Sequence, residues 1–190
     1  MKVVLIGDSI RMGYEPLVVK KCEEHDVWGP TENCGHSFWS LDHFQPWVAD
    51  QNPDIVHVNF GIHDAWIQPD GQHRILLAQY RLCLERFITG VQQLGNTRMI
   101  WASTTPLYTP DQSKPKAEWK VRAEAEIEKY NAAALEIAHR RGVTVNDLHE
   151  VIVRNDFARC LSDDGCHMSE FGYEVLSDAV VKAIRALADP

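Results

Sequence analysis

The chain has 190 residues, with 27 acidic and 19 basic side chains and a net charge of −8. The acidic balance argues against a nucleic-acid binder, which needs a basic stripe for phosphates, and against docking on an anionic membrane. No segment approaches the ~20 apolar residues of a membrane span. A 45% hydrophobic and 24% charged composition is ordinary for a globular protein. The length suits one domain over residues 1–190 that needs neither disulfides nor a metal to fold. Met1 to Asp8 run straight into a core strand without a basic, then apolar, leader. The expected compartment is therefore the cytoplasm, or the periplasm or exterior if a leader has been removed.

In chain order, Lys2–Ile6 is short, β-branched and continuously apolar, as a strand buried on both faces reads. Gly7-Asp8-Ser9 interrupts it, and a helix is predicted from Met12 to Glu24. Val27-Trp28 is a short second strand, Pro30–Ser37 a loop, and Ser40–Gln51 a helix. Asp54–Phe60 is the next strand, ended by Gly61. After a Pro69-Asp70-Gly71 turn, a long amphipathic helix runs from His73 to Leu94, stopped by Gly95-Asn96. Arg98–Ser103 is a fourth strand and Pro106–Pro115 a proline-rich loop. A helix from Lys116 to Arg141 precedes a fifth strand, Val143–Val145. Leu148–Arg154 forms one or two helical turns, Ser162–His167 is turn-like, and Glu170–Leu187 is the last helix. Strands alternating with helices through short loops predict a parallel sheet covered on both faces. In such folds chemistry collects outside the carboxyl ends of the strands.

Cys22, Cys34, Cys83, Cys160 and Cys166 are odd in number and irregularly spaced, which predicts reduced, buried thiols. His57 and His63 lie six residues apart and no HExxH pair exists, so no metal and no other cofactor is expected.

Three segments carry candidate chemistry. Ser9 follows a buried strand at a helix start, where N–H groups favour negative charge; such a serine suits a nucleophile, and equally a helix cap. Arg11 stands where a G-x-S-x-G elbow would need its second glycine. Asp164 and His167 are three residues apart in a turn, close enough for the carboxylate to orient the imidazole, or for an ordinary Asx turn beside a solvated histidine. Asn59–Asp64 follows the third strand and would place a polar side chain over the same sheet edge as Ser9, or simply cap the next segment.

Together these segments resemble the SGNH/GDSL hydrolase family. Gly7-Asp8-Ser9-Ile10 matches its nucleophile block and Asp164-Gly165-Cys166-His167 its closing Asp-x-x-His. Gly61, Ile62 and Asp64 match its Gly-x-Asn-Asp block, with His63 in the asparagine slot. Asn33-Cys34-Gly35 resembles the opening of its second block, and Thr104-Thr105-Pro106 a further recurrent feature. The resemblance implies a flavodoxin-like three-layer α/β/α sandwich with a five-stranded parallel sheet. It also implies ester hydrolysis through an acyl-enzyme. Ser9 would be the nucleophile, His167 the general base and acid, and Asp164 the orienting carboxylate. The oxyanion hole would use the N–H of Ser9, an N–H of the second block (Phe38, or alternatively Gly35), and His63 in place of the asparagine. Arg11, His36, Trp39 and Trp66 lie in or beside these loops and are candidate substrate contacts. Aromatic rings next to polar groups suit a sugar face. The expected partner is a small-molecule ester, with a short acyl group such as acetyl on a carbohydrate preferred. A lipid or thioester acylhydrolase is the alternative, as is a weakened, carbohydrate-binding relative. The sequence leaves the oligomeric state open.

Overall fold

A computed structural model describes residues 1–107 and 124–188. Five strands form one all-parallel sheet: β1 (Lys2–Gly7), β2 (Asp26–Trp28), β3 (Ile55–Asn59), β4 (Arg98–Ala102) and β5 (Thr144–Asn146). Their order is β2-β1-β3-β4-β5. This is the flavodoxin-like arrangement with helices on both faces. The chain leaves β1 toward β2, returns across it, and builds β3 on the other side. A crevice therefore opens between the carboxyl ends of β1 and β3, where connections depart in opposite directions. Gly7 pairs with Asn59 at that edge, so the loops beginning at Asp8 and Phe60 start side by side.

The strands are buried because they are sandwiched. Val3–Ile6, Ile55, Val56 and Val58 are wholly inaccessible. His57 shares that interior, and burial pushes its imidazole down to about 3, so it is neutral at physiological pH. One ring nitrogen meets the Asn146 side chain at 3.2 Å. Helix α1 (Ser9–Lys21) packs on α8 (Glu170–Ala188), and α4 (Leu77–Gln93) packs on α5 (Glu124–Arg140). All five cysteines are free and buried.

Several boundaries differ from the sequence expectation for identifiable reasons. Helix α1 begins three residues early because Asp8, not a later residue, caps it. The predicted Ser40–Gln51 helix is broken into α2 (Ser37–Asp42), α3 (Phe44–Trp47) and a 3-10 turn at Ala49–Gln51. Pro46 accounts for the break, since its ring opposes the carbonyl of Asp42 and it lacks an N–H. Helix α4 starts four residues late. Gly71 (φ +83°) and an Asp70 side-chain bond to Gln72 N fold residues 67–73 into a tight excursion instead. Helices α6 (Leu148–Arg154) and α7 (Phe157–Cys160) fill the approach to α8, the latter unanticipated. Most of the predicted Pro106–Pro115 loop, and the start of the helix placed at Lys116, lie outside the described residues.

Gly172, in the first turn of α8, seats that helix against α7. A Cβ there would lie 2.1 Å from the backbone oxygen of Cys160 and 3.0 Å from Met168 Cβ. Gly172→Ala gains up to ~1 kcal/mol of helix propensity. The overlap is with backbone, so overpacking outweighs it, and a net loss of about 1–2 kcal/mol in urea denaturation is expected. Unchanged stability would show that α7 moves aside at no cost.

Candidate active site

The first loop explains why Ser9 is available. The Asp8 carboxylate accepts from Ile10 N at 2.9 Å and takes the capping position of α1. Ser9 therefore stands inside the first turn, with its own N–H among those a helix start leaves without an intrahelical partner. Its hydroxyl is free to face outward, and lies 2.8 Å from His167 Nε2 across 158 residues of chain. Arg11 points the other way. It is buried, with Nη1 on Glu15 at 2.5 Å, Nη2 on the Glu32 carbonyl at 2.7 Å and Nε 3.4 Å from the Gly7 carbonyl. The expectation that Arg11 contacts substrate is corrected: its donors are committed to shaping the first two loops.

The last loop is a turn closed by Gly165 (φ +70°), whose N–H donates to the Ser162 carbonyl at 3.0 Å. The Leu161–Met168 bridge ties its ends. Asp164 organises its interior. Oδ1 accepts from Cys166 N and His167 N, both at 2.8 Å, and from Ser162 Oγ at 2.9 Å. Oδ2 accepts from His167 Nδ1 at 2.5 Å. Partial burial pushes the carboxyl up. The bonds from the His167 ring and backbone, Cys166 N–H and Ser162 hydroxyl outweigh that and hold it well below the usual carboxylate range. An ionised Asp164 places the neutral ring's proton on Nδ1 and turns the Nε2 lone pair toward Ser9. The Ser9–His167–Asp164 relay is thus continuous. It is also open to solvent, with the His167 and Asp164 side chains 41% and 51% exposed.

The second and third loops line the crevice. Cys34 N donates to the Gly7 carbonyl at 3.1 Å, seating the second loop beside the first. Gly35 adopts φ +59° and its N–H donates to Asn33 Oδ1 at 2.8 Å. The alternative oxyanion donor at Gly35 is therefore corrected, because that proton is held inside an Asx turn. Phe38 is in the first turn of α2, a position where N–H groups lack intrahelical partners; the residue is 58% exposed. His36 caps α2, its Nδ1 accepting from Trp39 N at 3.1 Å. Burial, and then the Arg74 charge, hold its imidazole below the ordinary value. Trp39 is exposed and leans on His43 in a tilted contact, with ring centroids 4.0 Å apart, and His43 stacks in turn on Trp47 at 4.4 Å. His63 is half-buried, with Nδ1 3.5 Å from Arg74 Nη1. Trp66 is buried beneath the Arg74 guanidinium, 4.8 Å above the ring.

Two features escaped the sequence. Arg74 joins His36, His63 and Trp66 only because the excursion before α4 folds back, with Arg74 N donating to the Trp66 carbonyl at 2.7 Å; no local pattern signals that. Asp64, read as a possible cap, instead accepts from Ser37 of the second loop. Its neighbour after β4, Thr104, closes against Gly61: a Cβ at Gly61 (φ +150°) would lie 2.1 Å from Thr104 Oγ1.

The sequence profile of the GDSL-like lipase/acylhydrolase family matches residues 5–175, a span that holds every one of these loops. The chain belongs to the GDSL-like lipase/acylhydrolase family. No curated protein matches the chain significantly. Among solved structures, this GDSL-like chain is similar to the lipase/acylhydrolase from Enterococcus faecalis, at 24% identity, TM-score 0.79 and coverage of 97% and 95% of the two chains. It is similar to an acetyl xylan esterase at 17% identity and TM-score 0.79, covering 97% and 100%. A catalytic mutant of an acetylxylan esterase from Geobacillus stearothermophilus matches at 18% identity and TM-score 0.77, covering 96% and 93%. At these identities the likeness speaks for the fold. In this GDSL-like chain, no helix among the described residues is long and apolar enough to cross a membrane.

Proposed function

We propose that the protein is a serine ester hydrolase that removes a short acyl group, preferentially acetyl, from a carbohydrate through an acyl-enzyme. The observation that carries this is the relay itself, with Ser9 Oγ 2.8 Å from His167 Nε2 and His167 Nδ1 2.5 Å from Asp164. Ser9 Oγ attacks the ester carbonyl as His167 takes its proton; the carbonyl electrons move onto oxygen. N–H groups of Ser9 and Phe38, with His63, receive that oxyanion; each such donor is worth about 3–4 kcal/mol of barrier. The tetrahedral species collapses, His167 returns the proton to the departing alcohol, and water repeats the cycle on the acyl-enzyme.

The site's openness favours a bulky, polar alcohol portion over a sequestered lipid. The exposed Phe38 and Trp39 rings offer apolar faces, and His36 and Arg74 offer polar rim contacts, the combination that suits a sugar ring. The acetyl xylan esterases among the structural neighbours are consistent with such a substrate. A series of p-nitrophenyl esters tests it: kcat/KM is expected to fall at least about tenfold from acetate to octanoate, whereas a site that buried each added methylene would gain ~0.8 kcal/mol apiece and make the series rise. A rising series would move the assignment to lipid or thioester acylhydrolysis. Binding of saccharides with no labelling of Ser9 by a fluorophosphonate would make the protein a non-catalytic relative.

A further inference from the structure

Asp64 is a wholly buried carboxylate that the relay does not use. It belongs to the third loop, yet its carboxylate is held from the second. Ser37 N donates to both carboxylate oxygens at 3.1 Å, and Ser37 Oγ donates to Oδ1 at 2.5 Å. Ser37 is itself buried and opens α2, a helix of six residues. Such a short helix has little stability of its own and takes its placement from tertiary contacts.

The other side of the tie is rigid. Asn131 of α5 grips the Thr104 backbone with both ends of its amide, accepting from Thr104 N at 2.8 Å and donating to Thr104 O at 2.9 Å. Thr104 Oγ1 donates to the Phe60 carbonyl at 3.3 Å and stands against Gly61, and Ala65 N closes the turn on the Gly61 carbonyl at 2.8 Å. Asp64 is thus presented from a fixed loop to a loop that needs fixing.

We propose that Asp64 is a positioning residue that, through Ser37, holds the start of α2 against the Gly61–Asp64 loop, so that the Phe38 N–H and His63 meet one oxyanion. The inference rests on the ester-hydrolase reading and adds to it the group that sets the geometry of the hole. Phe38 directly follows Ser37, so a displacement of Ser37 carries the Phe38 N–H with it. His63 directly precedes Asp64. One pair of side chains therefore governs the separation of two donors contributed by different loops. Misplacement by about 1 Å costs on the order of a hundredfold in such sites.

The tie survives proton loss and gain. Burial pushes the Asp64 carboxyl up to about 7; the Ser37 bonds oppose that shift and the neighbouring Asp8 charge adds to it. Cys83, Tyr80 and Tyr130 also feel the Asp64 charge. Ionised, Asp64 accepts from both Ser37 groups. Protonated, it gives its own proton to Ser37 Oγ while still accepting from Ser37 N. An asparagine reproduces that second arrangement, with Oδ1 on the N–H and Nδ2 donating to the hydroxyl.

The test combines steady-state kinetics on p-nitrophenyl acetate with amide hydrogen exchange of the second loop. Asp64→Ala is expected to lower kcat by about 30–100-fold, and Ser37→Ala by about tenfold, with KM within about twofold of wild type. Asp64→Ala/Ser37→Ala should be no worse than Asp64→Ala, because both remove one tie. Asp64→Asn should recover kcat to within about threefold. The Ser37 and Phe38 amides should exchange faster in both alanine variants and return to the wild-type rate in Asp64→Asn. Unchanged kcat in a folded Asp64→Ala or Ser37→Ala protein, multiplying losses, or an Asp64→Asn as poor as Asp64→Ala would each overturn the proposal. Should Asp64→Ala not fold, Ser37→Ala and Asp64→Asn decide alone. Faster exchange without loss of kcat rejects the catalytic role of the tie and leaves the hydrolase reading standing. A wild-type protein that neither turns over esters nor labels at Ser9 rejects both.

Discussion

Ser9→Ala is expected to lower kcat on p-nitrophenyl acetate by about 10⁴-fold or more, with thermal unfolding little changed. The size follows from the chemistry: without the hydroxyl there is no acyl-enzyme, and the remaining oxyanion donors stabilise only attack by water. The small stability effect follows from the surroundings. The hydroxyl's recorded bond is to a partly exposed imidazole, and water replaces it readily. Ser9→Ala/His167→Ala should be no slower than Ser9→Ala, because the two groups act as one unit. Stopped-assay rates and mass spectrometry of fluorophosphonate-treated protein check this. An alanine variant retaining full turnover would remove Ser9 from the chemistry.

Asp164→Asn is expected to cost more activity than Asp164→Ala, about 10³–10⁴-fold in kcat against about 10²-fold. Three donors converge on Oδ1, from Cys166 N, His167 N and Ser162 Oγ. In the asparagine variant the amide oxygen stays with these donors, and its NH₂ turns to His167 Nδ1. An N–H facing Nδ1 forces the ring proton onto Nε2, where it blocks acceptance of the Ser9 proton. Alanine presents nothing to Nδ1, and at 41% exposure of the His167 side chain water can accept the Nδ1–H instead. The two variants are compared by kcat on p-nitrophenyl acetate at pH 8. The reverse order would mean that Asp164 acts by its charge and not by selecting the tautomer.

Much of the architecture was legible in the chain. Lys2–Ile6 read as a buried strand because it is short, β-branched and continuously apolar, and Asp54–Phe60 read as the next strand, ended by Gly61. Gly95-Asn96 marked a helix end, and the glycine takes positive φ, at +80°. The family resemblance added the sheet size and the fold, and named Ser9, Asp164 and His167 as partners. Where local signals competed, boundaries slipped. Pro46 broke a helix whose apolar spacing ran on, and Asp8 took the cap that a serine next to it could equally have supplied.

Side-chain direction was not legible. Arg11 lies two residues from Ser9 and points into the protein, because Glu15 and the Glu32 carbonyl accept its protons. Gly35 has the conformational freedom of a hole residue, yet its N–H is held by Asn33. Arg74 lies eight residues from Trp66 in the chain, and stacks on its ring because a reverse excursion brings it back. What the sequence determined by itself is what depends on near neighbours: strand and helix character, turns, caps and the Asp164–His167 spacing within one turn. Packing of the layers settled which distant groups share a hydrogen bond, as Ser9 does with His167 and Ser37 with Asp64. The physical reason is that a hydrogen bond is set by distance and angle within fractions of an ångström, and those are settled when the sheet closes its layers, not by the order of residues along the chain.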